Sequence, residues 1–262
     1  MIKKSLLISV GLLLIYTILI VHFSNRFNLV GQTTSQENMV KVEDYLYQAG
    51  MHRDTILVGS SMSERLVTDS LPGRCYNLAM SGMSSLDGLQ IIKQGGHWPR
   101  LVYIELNTLA RGYTSGILNK FDEPGWQFLL TYFPFLRQKY QPVAIFKSLL
   151  YNRHRTPSPV GLGQPVDTLF YEKVVHEKLV VMQQMPSDSA LKANVQLAYQ
   201  YIEQLQQHGV KVIFFEIPTD LRLQNHVLTA TIRQYIHNFF PPVNTLLLTY
   251  QQIPIRQMTV FI

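Results

Sequence analysis

The chain has 262 residues, 47% hydrophobic and only 15% charged, which is enough apolar material for one sizeable core in one main domain. Its single cysteine, Cys75, excludes an intramolecular disulfide and any cysteine-based metal cluster. The formal net charge of +6 is spread along the chain with no basic stripe interleaved with aromatics, so composition gives no sign of a nucleic-acid surface.

Lys3 and Lys4 precede an apolar run from Ser5 to Phe23 that holds no acidic residue. About 20 apolar residues span a bilayer core, so residues 1–25 read as one transmembrane helix, longer than a usual signal-peptide apolar region. No small-x-small cleavage site precedes Ser24-Asn25-Arg26. The expectation is an uncleaved signal anchor at the cell membrane, single-pass, with the lysine pair inside and the globular domain outside. The competing reading is a buried core helix.

Residues 26–53 read as a linker, with Gly31 to Gln36 polar and a short helix over Glu43 to Gln48. Next, Thr55-Ile-Leu-Val58 forms a short apolar run that ends abruptly in Gly59-Ser-Ser61, the pattern of a buried parallel strand turning sharply at its carboxyl end. Open α/β sheets place ligands at that end. A serine there serves either as a nucleophile, with the helix begun by Met62 to Leu66 favouring developing negative charge, or only as that helix's cap.

Strand and helix signals then alternate. Cys75 to Met80 is a strand, Ser85 to Gln94 a helix closed by Gly95-Gly96, and Arg100 to Asn107 a third strand. Asp188 to His208 carries Leu191, Val195, Ala198, Ile202 and Leu205 at helical spacing and stops at Gly209. Lys211 to Pro218 is a strand, Leu228 to Phe240 a helix and Thr245 to Tyr250 a last strand. This order predicts an α/β domain over residues 54–262, a three-layer sandwich around a mostly parallel five-stranded sheet.

Between about residues 111 and 186 the rhythm breaks into an insertion rich in aromatics: Trp126, Phe128, Tyr132, Phe133, Phe135, Tyr140 and Phe146. These residues read as the core of an inserted helical hairpin, with stacking on sugar rings or seating at a membrane interface as alternatives. The run Asn152 to Pro159 includes Arg153, His154 and Arg155, a solvated loop or a contact for an anionic polymer or lipid headgroups.

Three strand ends together carry Gly59-Ser-Ser61, Asn77-Leu-Ala-Met-Ser-Gly82 and Ile104-Glu-Leu-Asn107. This order resembles the SGNH hydrolases, also called the GDSL esterase family, over roughly residues 55 to 250. The resemblance implies Ser61 as nucleophile, with the Gly82 N–H and the Asn107 side-chain amide as oxyanion hole. The family's Asp-x-x-His block has no match, since no aspartate follows Asp220, and Asp220 with His226, or His237, does not reproduce its spacing. A serine without an imidazole is a weak nucleophile, so the chain reads as an impaired enzyme. Read from the third base of the Met258 codon, the tail Met258 to Ile262 permits Asp-Gly-Ile-His, which makes a frameshift one explanation of the missing block and a natural, disordered end the other.

His52, His97, His176 and His208 form no ligand set with acidic partners, so neither a metal nor a cofactor is expected. Asp87 and Glu105 stand near the site in sequence, with Glu105 expected to meet an arginine or the insertion. The anchored arrangement resembles accessory proteins of cell-envelope polysaccharide acylation. By that resemblance the chain is an esterase or acyltransferase on acyl esters of glycans beside a membrane-bound O-acyltransferase. A non-catalytic, glycan-binding scaffold for the same partner is the alternative.

Overall fold

The computed structural model describes residues 2–23, 33–47, 54–69, 71–114, 121, 123–151, 168–184, 187–217, 219–240 and 245–248. Residues 24–25 at the end of the expected transmembrane segment, the expected linker residues 26–32 and 48–53, the basic run 152–159 and the tail 249–262 lie outside the described residues. In chain order, helices α1 (Ile2–Phe23) and α2 (Thr34–Tyr47) precede β1 (Thr55–Val58), the single turn α3 (Ser61–Glu64), β2 (Cys75–Asn77), α4 (Ser85–Gly95) and β3 (Leu101–Glu105). Helices α5 (Pro124–Tyr132), α6 (Pro142–Tyr151), α7 (Thr168–Gln183) and α8 (Asp188–Gln207) follow, then β4 (Lys211–Phe215), α9 (Leu221–Gln224), α10 (Val227–Phe239) and β5 (Thr245–Leu248). These elements fall into two compact units, Met1–Ala49 with Ser115–Val160, and Gly50–Thr114 with Gly161–Ile262. Within the stretch expected as one insertion, α5 and α6 belong to the first unit and α7 to the second.

The second unit is the predicted α/β fold with a parallel sheet. Its strands lie in the order β2-β1-β3-β4, with Leu57 opposite Asn77, Val58 opposite Ile104 and Glu105 opposite Phe215. Residues Thr245–Leu248 align parallel to β4, Thr245 beside Val212. Side chains alternate along each strand. Val58 therefore points to the face where α4 approaches so closely that a Cβ on Gly88 would stand 2.7 Å from Val58 Cγ1. On the other face Leu57, Ala79, Tyr103 and Phe215 form a cluster with Leu66, Leu71 and Ile217. The predicted stripe of α8, Leu191, Val195, Ala198, Ile202 and Leu205, is buried throughout and packs against α4, α10 and β4. A reciprocal pair of bonds between Ser84 and Asp87 starts α4, and Gly96 ends it at φ 63°, a left-handed conformation that costs glycine nothing.

In the first unit, α1 is long and apolar enough to cross a membrane. Its Tyr16 hydroxyl donates to the Tyr140 carbonyl (2.7 Å), and α1 packs on the short 3₁₀ turn Pro134–Leu136. The polar stretch read as linker is in part helix, because α2 begins at Thr34 rather than near Glu43. The cause is local: Thr33 Oγ1 accepts from the Gln36 N–H (3.2 Å) and its carbonyl from the Glu37 N–H, so this threonine caps the helix. The aromatic insertion is also not the core expected of it. Tyr140 is buried, whereas Trp126, Phe128, Tyr132, Phe133 and Phe146 are 37%, 57%, 66%, 41% and 64% exposed.

Glu43 is the buried acid of this unit, 4% exposed, and its carboxyl accepts from the Gln138 N–H at 2.7 Å. Burial pushes its pKa up to about 7 from 4.5, outweighing the backbone N–H groups of Gln138 and Lys139 and the Arg137 charge, which favour the carboxylate. A raised acid pKa gives stability that is complete below the unfolded value and is lost as pH rises through the folded one. The loss is at most about 3 kcal/mol between pH 4.5 and 8. Thermal unfolding of the full chain in detergent at pH 5 and pH 8 tests this. Glu43→Gln narrows the difference in midpoint between the two conditions, and an unchanged difference would exclude Glu43 as its source.

Candidate active site

The site is built at the carboxyl ends of β1, β2 and β3 in the second unit. The chain leaves β1 toward β2 on one side, while β3 lies on the other, so the crevice between β1 and β3 is a topological switch point. At this point the strand alternation puts Gly59 and Glu105 side by side on one face. The missing Cβ of Gly59 is the space that Glu105 fills, since an added Cβ would stand 2.8 Å from Glu105 Cβ.

Glu105 is fully buried and is the hub of the loop after β1. Its Oε2 accepts from the Ser60 N–H (2.7 Å) and from the Ser63 hydroxyl (2.5 Å), and the Ser60 hydroxyl lies 2.9 Å from Oε1. The arginine partner expected for Glu105 is therefore replaced by serines of the neighbouring strand end. Ser60 also accepts from the Met62 N–H (3.2 Å) with an extended backbone, so it is the N-cap of α3. The cap role falls on Ser60, which is buried, and Ser61 is left at the first position of the turn, half-buried, with no hydrogen-bond partner for its hydroxyl among the described residues.

Asn77 fixes the other end of that turn. Its Nδ2 donates to the carbonyls of Ser63 (2.9 Å) and Glu64 (3.1 Å), while its Oδ1 accepts from the Ala79 N–H. Past β2 the ladder continues, with the Met80 N–H donating to the Gly59 carbonyl at 3.1 Å. Continued past the strands, the β1–β2 register sets Gly59 opposite Ala79, so Gly82 stands three residues beyond that level and Ser61 two. Met80 to Met83 forms a turn closed by the Met83 N–H on the Met80 carbonyl, and Gly82 takes φ 77° at its third position, which requires glycine. Gly82 is exposed, and no acceptor among the described residues takes its N–H.

Asn107 stands three residues beyond Ile104, as Ser61 stands three beyond Val58, the partner of Ile104. The three residues of the resemblance thus all follow the carboxyl ends of three adjacent parallel strands, whose spacing is about 4.8 Å. Asn107 has a structural task as well: its Oδ1 accepts from the Ile217 N–H (2.9 Å) and its Nδ2 donates to the Ile217 carbonyl (3.3 Å), which clamps the ends of β3 and β4 together. One of its two amide hydrogens remains for another acceptor.

Lys178 of α7 was not singled out by sequence reasoning. Its Nζ lies 3.9 Å from Met62 Sδ, next to Ser61 in the chain. Desolvation at the ammonium, then the Arg111 and Arg65 charges, hold its pKa below the ordinary value, with Glu105 opposing. The histidines near the end of the chain are used elsewhere. His226 Nδ1 accepts from the Leu228 N–H and caps α10, and His237 lies in the last turn of that helix. Asp220 caps α9, accepts from the Tyr171 hydroxyl (2.6 Å) and pairs with Arg222 (2.9 Å), which with that hydroxyl holds its carboxyl far below the usual range. Asp87 closes the start of α4 and accepts from the Thr114 N–H at 2.9 Å. Among the described residues no group of three histidine, cysteine or acidic side chains is placed to hold a metal. Comparison with protein-family models, with curated proteins and with solved structures finds no match to this chain.

Proposed function

We propose that the second unit is an SGNH-like serine esterase or acyltransferase, a five-stranded three-layer sandwich with β5 at its edge, held outside the membrane by α1 as a single-pass anchor. The observation that carries this reading is the Ser61 hydroxyl at the β1–β3 switch point, with no partner among the described residues, on the strand-end side that also holds Gly82 and Asn107. Ser61 Oγ attacks the ester carbonyl carbon, and the carbonyl oxygen, taking the negative charge, accepts from the Gly82 N–H and the free Asn107 amide hydrogen. Collapse of that adduct expels the alcohol and leaves an acyl-serine, which water or a second hydroxyl then cleaves. With no Asp-x-x-His in the chain, this reading gives the serine proton to Lys178, whose Nζ lies 3.9 Å from Met62 Sδ and whose depressed pKa raises the share of neutral amine, and the same amine returns the proton to the departing alcohol. Arg65, Arg111 and Lys178 form no ion pair among the described residues, and they favour an acyl ester carried on an acidic cell-envelope glycan.

Hydrolysis of p-nitrophenyl acetate by the full chain in detergent tests the reading. Ser61→Ala lowers kcat/KM about a thousandfold with an unchanged thermal midpoint, since that hydroxyl makes no bond among the described residues. Equal rates for the two proteins exclude a Ser61 mechanism. The second reading, a glycan-binding scaffold beside a membrane-bound O-acyltransferase, is favoured by the missing histidine and by the structural clamp that Asn107 makes. Glycan retention without turnover, identical in wild type and Ser61→Ala, selects it.

A further inference from the structure

The first unit exposes large apolar side chains where a water-facing surface carries charge. Helix α5 has no charged residue in its sequence Pro-Gly-Trp-Gln-Phe-Leu-Leu-Thr-Tyr, and of its side chains only Leu130 is buried. Some of the rings pair: Phe128 and Tyr132 lie 4.7 Å apart between centroids, and Phe133 and Phe135 5.9 Å. Helix α5 packs on the turn Pro134–Leu136, which packs on α1, while α6 with exposed Val143 and Phe146 packs on the next turn, Gln138–Tyr140.

Depth follows from α1. The apolar stretch Ile2–Ile20, 19 residues at about 1.5 Å each, matches a hydrocarbon core of about 30 Å only if it is used whole. Tyr16 lies about one helical turn inside the Ile20 end. Its hydrogen bond to the Tyr140 carbonyl therefore holds the 3₁₀ turns at a level below the bilayer surface. The backbone there suits that medium, because the N–H groups of Phe133, Leu136, Arg137 and Tyr140 are all bonded within the segment, and Arg137 donates to the Leu130 and Thr131 carbonyls.

We propose that this aromatic surface, Trp126, Phe128, Tyr132, Phe133 and Phe146, seats in the headgroup and upper acyl region of the leaflet around the C-terminal half of α1. The proposal rests on the reading of α1 as a membrane anchor. The unit is then a monotopic collar on a single-pass helix, and tryptophan and tyrosine are the side chains best suited to that boundary. The occupant is lipid rather than a second copy because the surface is continuous with the helix that the bilayer already surrounds.

The chain has two tryptophans, Trp98 and Trp126, so Trp98→Phe makes Trp126 the sole emitter. The full-length variant is reconstituted in phosphatidylcholine vesicles with and without brominated acyl chains. Trp126 loses roughly half its emission in brominated lipid and is shielded from aqueous acrylamide, as for an interfacial residue. Retention of the chain in alkaline carbonate together with unquenched Trp126 overturns the proposal and leaves the anchor reading intact. A blue-shifted but unquenched Trp126 overturns it in favour of an interface between copies. Release of the chain by carbonate removes the anchor reading and the proposal with it.

Discussion

Glu105→Ala lowers the thermal midpoint of the second unit by about 10 °C and removes any activity that depends on Ser61. Three donors, the Ser60 N–H and the hydroxyls of Ser60 and Ser63, point at one fully buried carboxyl group. Alanine leaves them facing apolar walls and a void. Each orphaned buried donor costs about 1–3 kcal/mol, and relaxation brings the sum to about 4 kcal/mol. For a domain of this size each kcal/mol moves the midpoint by about 2–4 °C. Activity falls further than stability because Ser60 and Ser63 flank Ser61 in α3, so the loop that aims the nucleophile loses its fixed end. Glu105→Gln separates the two effects. It keeps the length and the oxygen that accepts from the Ser60 N–H and the Ser63 hydroxyl but turns an NH2 group toward the Ser60 hydroxyl, giving a smaller loss of midpoint. A midpoint for Glu105→Ala within two or three degrees of wild type would mean that the carboxyl does not hold the loop.

Periodicity and register divide what the sequence discloses from what it hides. The α8 stripe was legible because five residues recur at helical spacing and all five are buried. The first four strands were legible as short apolar runs, and the abrupt change at Gly59-Ser-Ser61 marked the carboxyl end of β1. The role of Glu105 was not legible. Its partners lie more than forty residues away in the chain, and only the parallel pairing of β1 with β3 brings them together. Lys178 was hidden for the same reason, 116 residues from Met62. The start of α2 could have been read, since Thr33 three residues before Gln36 is a capping pattern, but the polar composition around it favoured a linker. Composition also could not tell an aromatic core from an aromatic surface, because the two use the same residues and differ only in what surrounds them.

Gly59→Ala costs about 2–3 kcal/mol in wild type and much less in a Glu105→Ala background. The reason is room rather than backbone freedom. An added Cβ would press on Glu105 Oε2 and stand 2.6 Å from Ser63 Oγ and 2.8 Å from Glu105 Cβ. Overpacking of this kind typically costs 1–3 kcal/mol, and here the group that must move is held by three hydrogen bonds. Truncating Glu105 vacates that space, so the two substitutions couple by about 1–2 kcal/mol. Gly88→Ala supplies the control. Its Cβ would meet Val58 Cγ1 and Cβ at 2.7 and 2.8 Å on the opposite face of the same strand, where Glu105 has no reach. Its cost therefore adds to that of Glu105→Ala without coupling. Denaturant unfolding of the three single and two double variants measures both terms. Additivity at Gly59, or coupling at Gly88, would contradict the assignment of the Gly59 face to Glu105, and with it the account of how the loop carrying Ser61 is held.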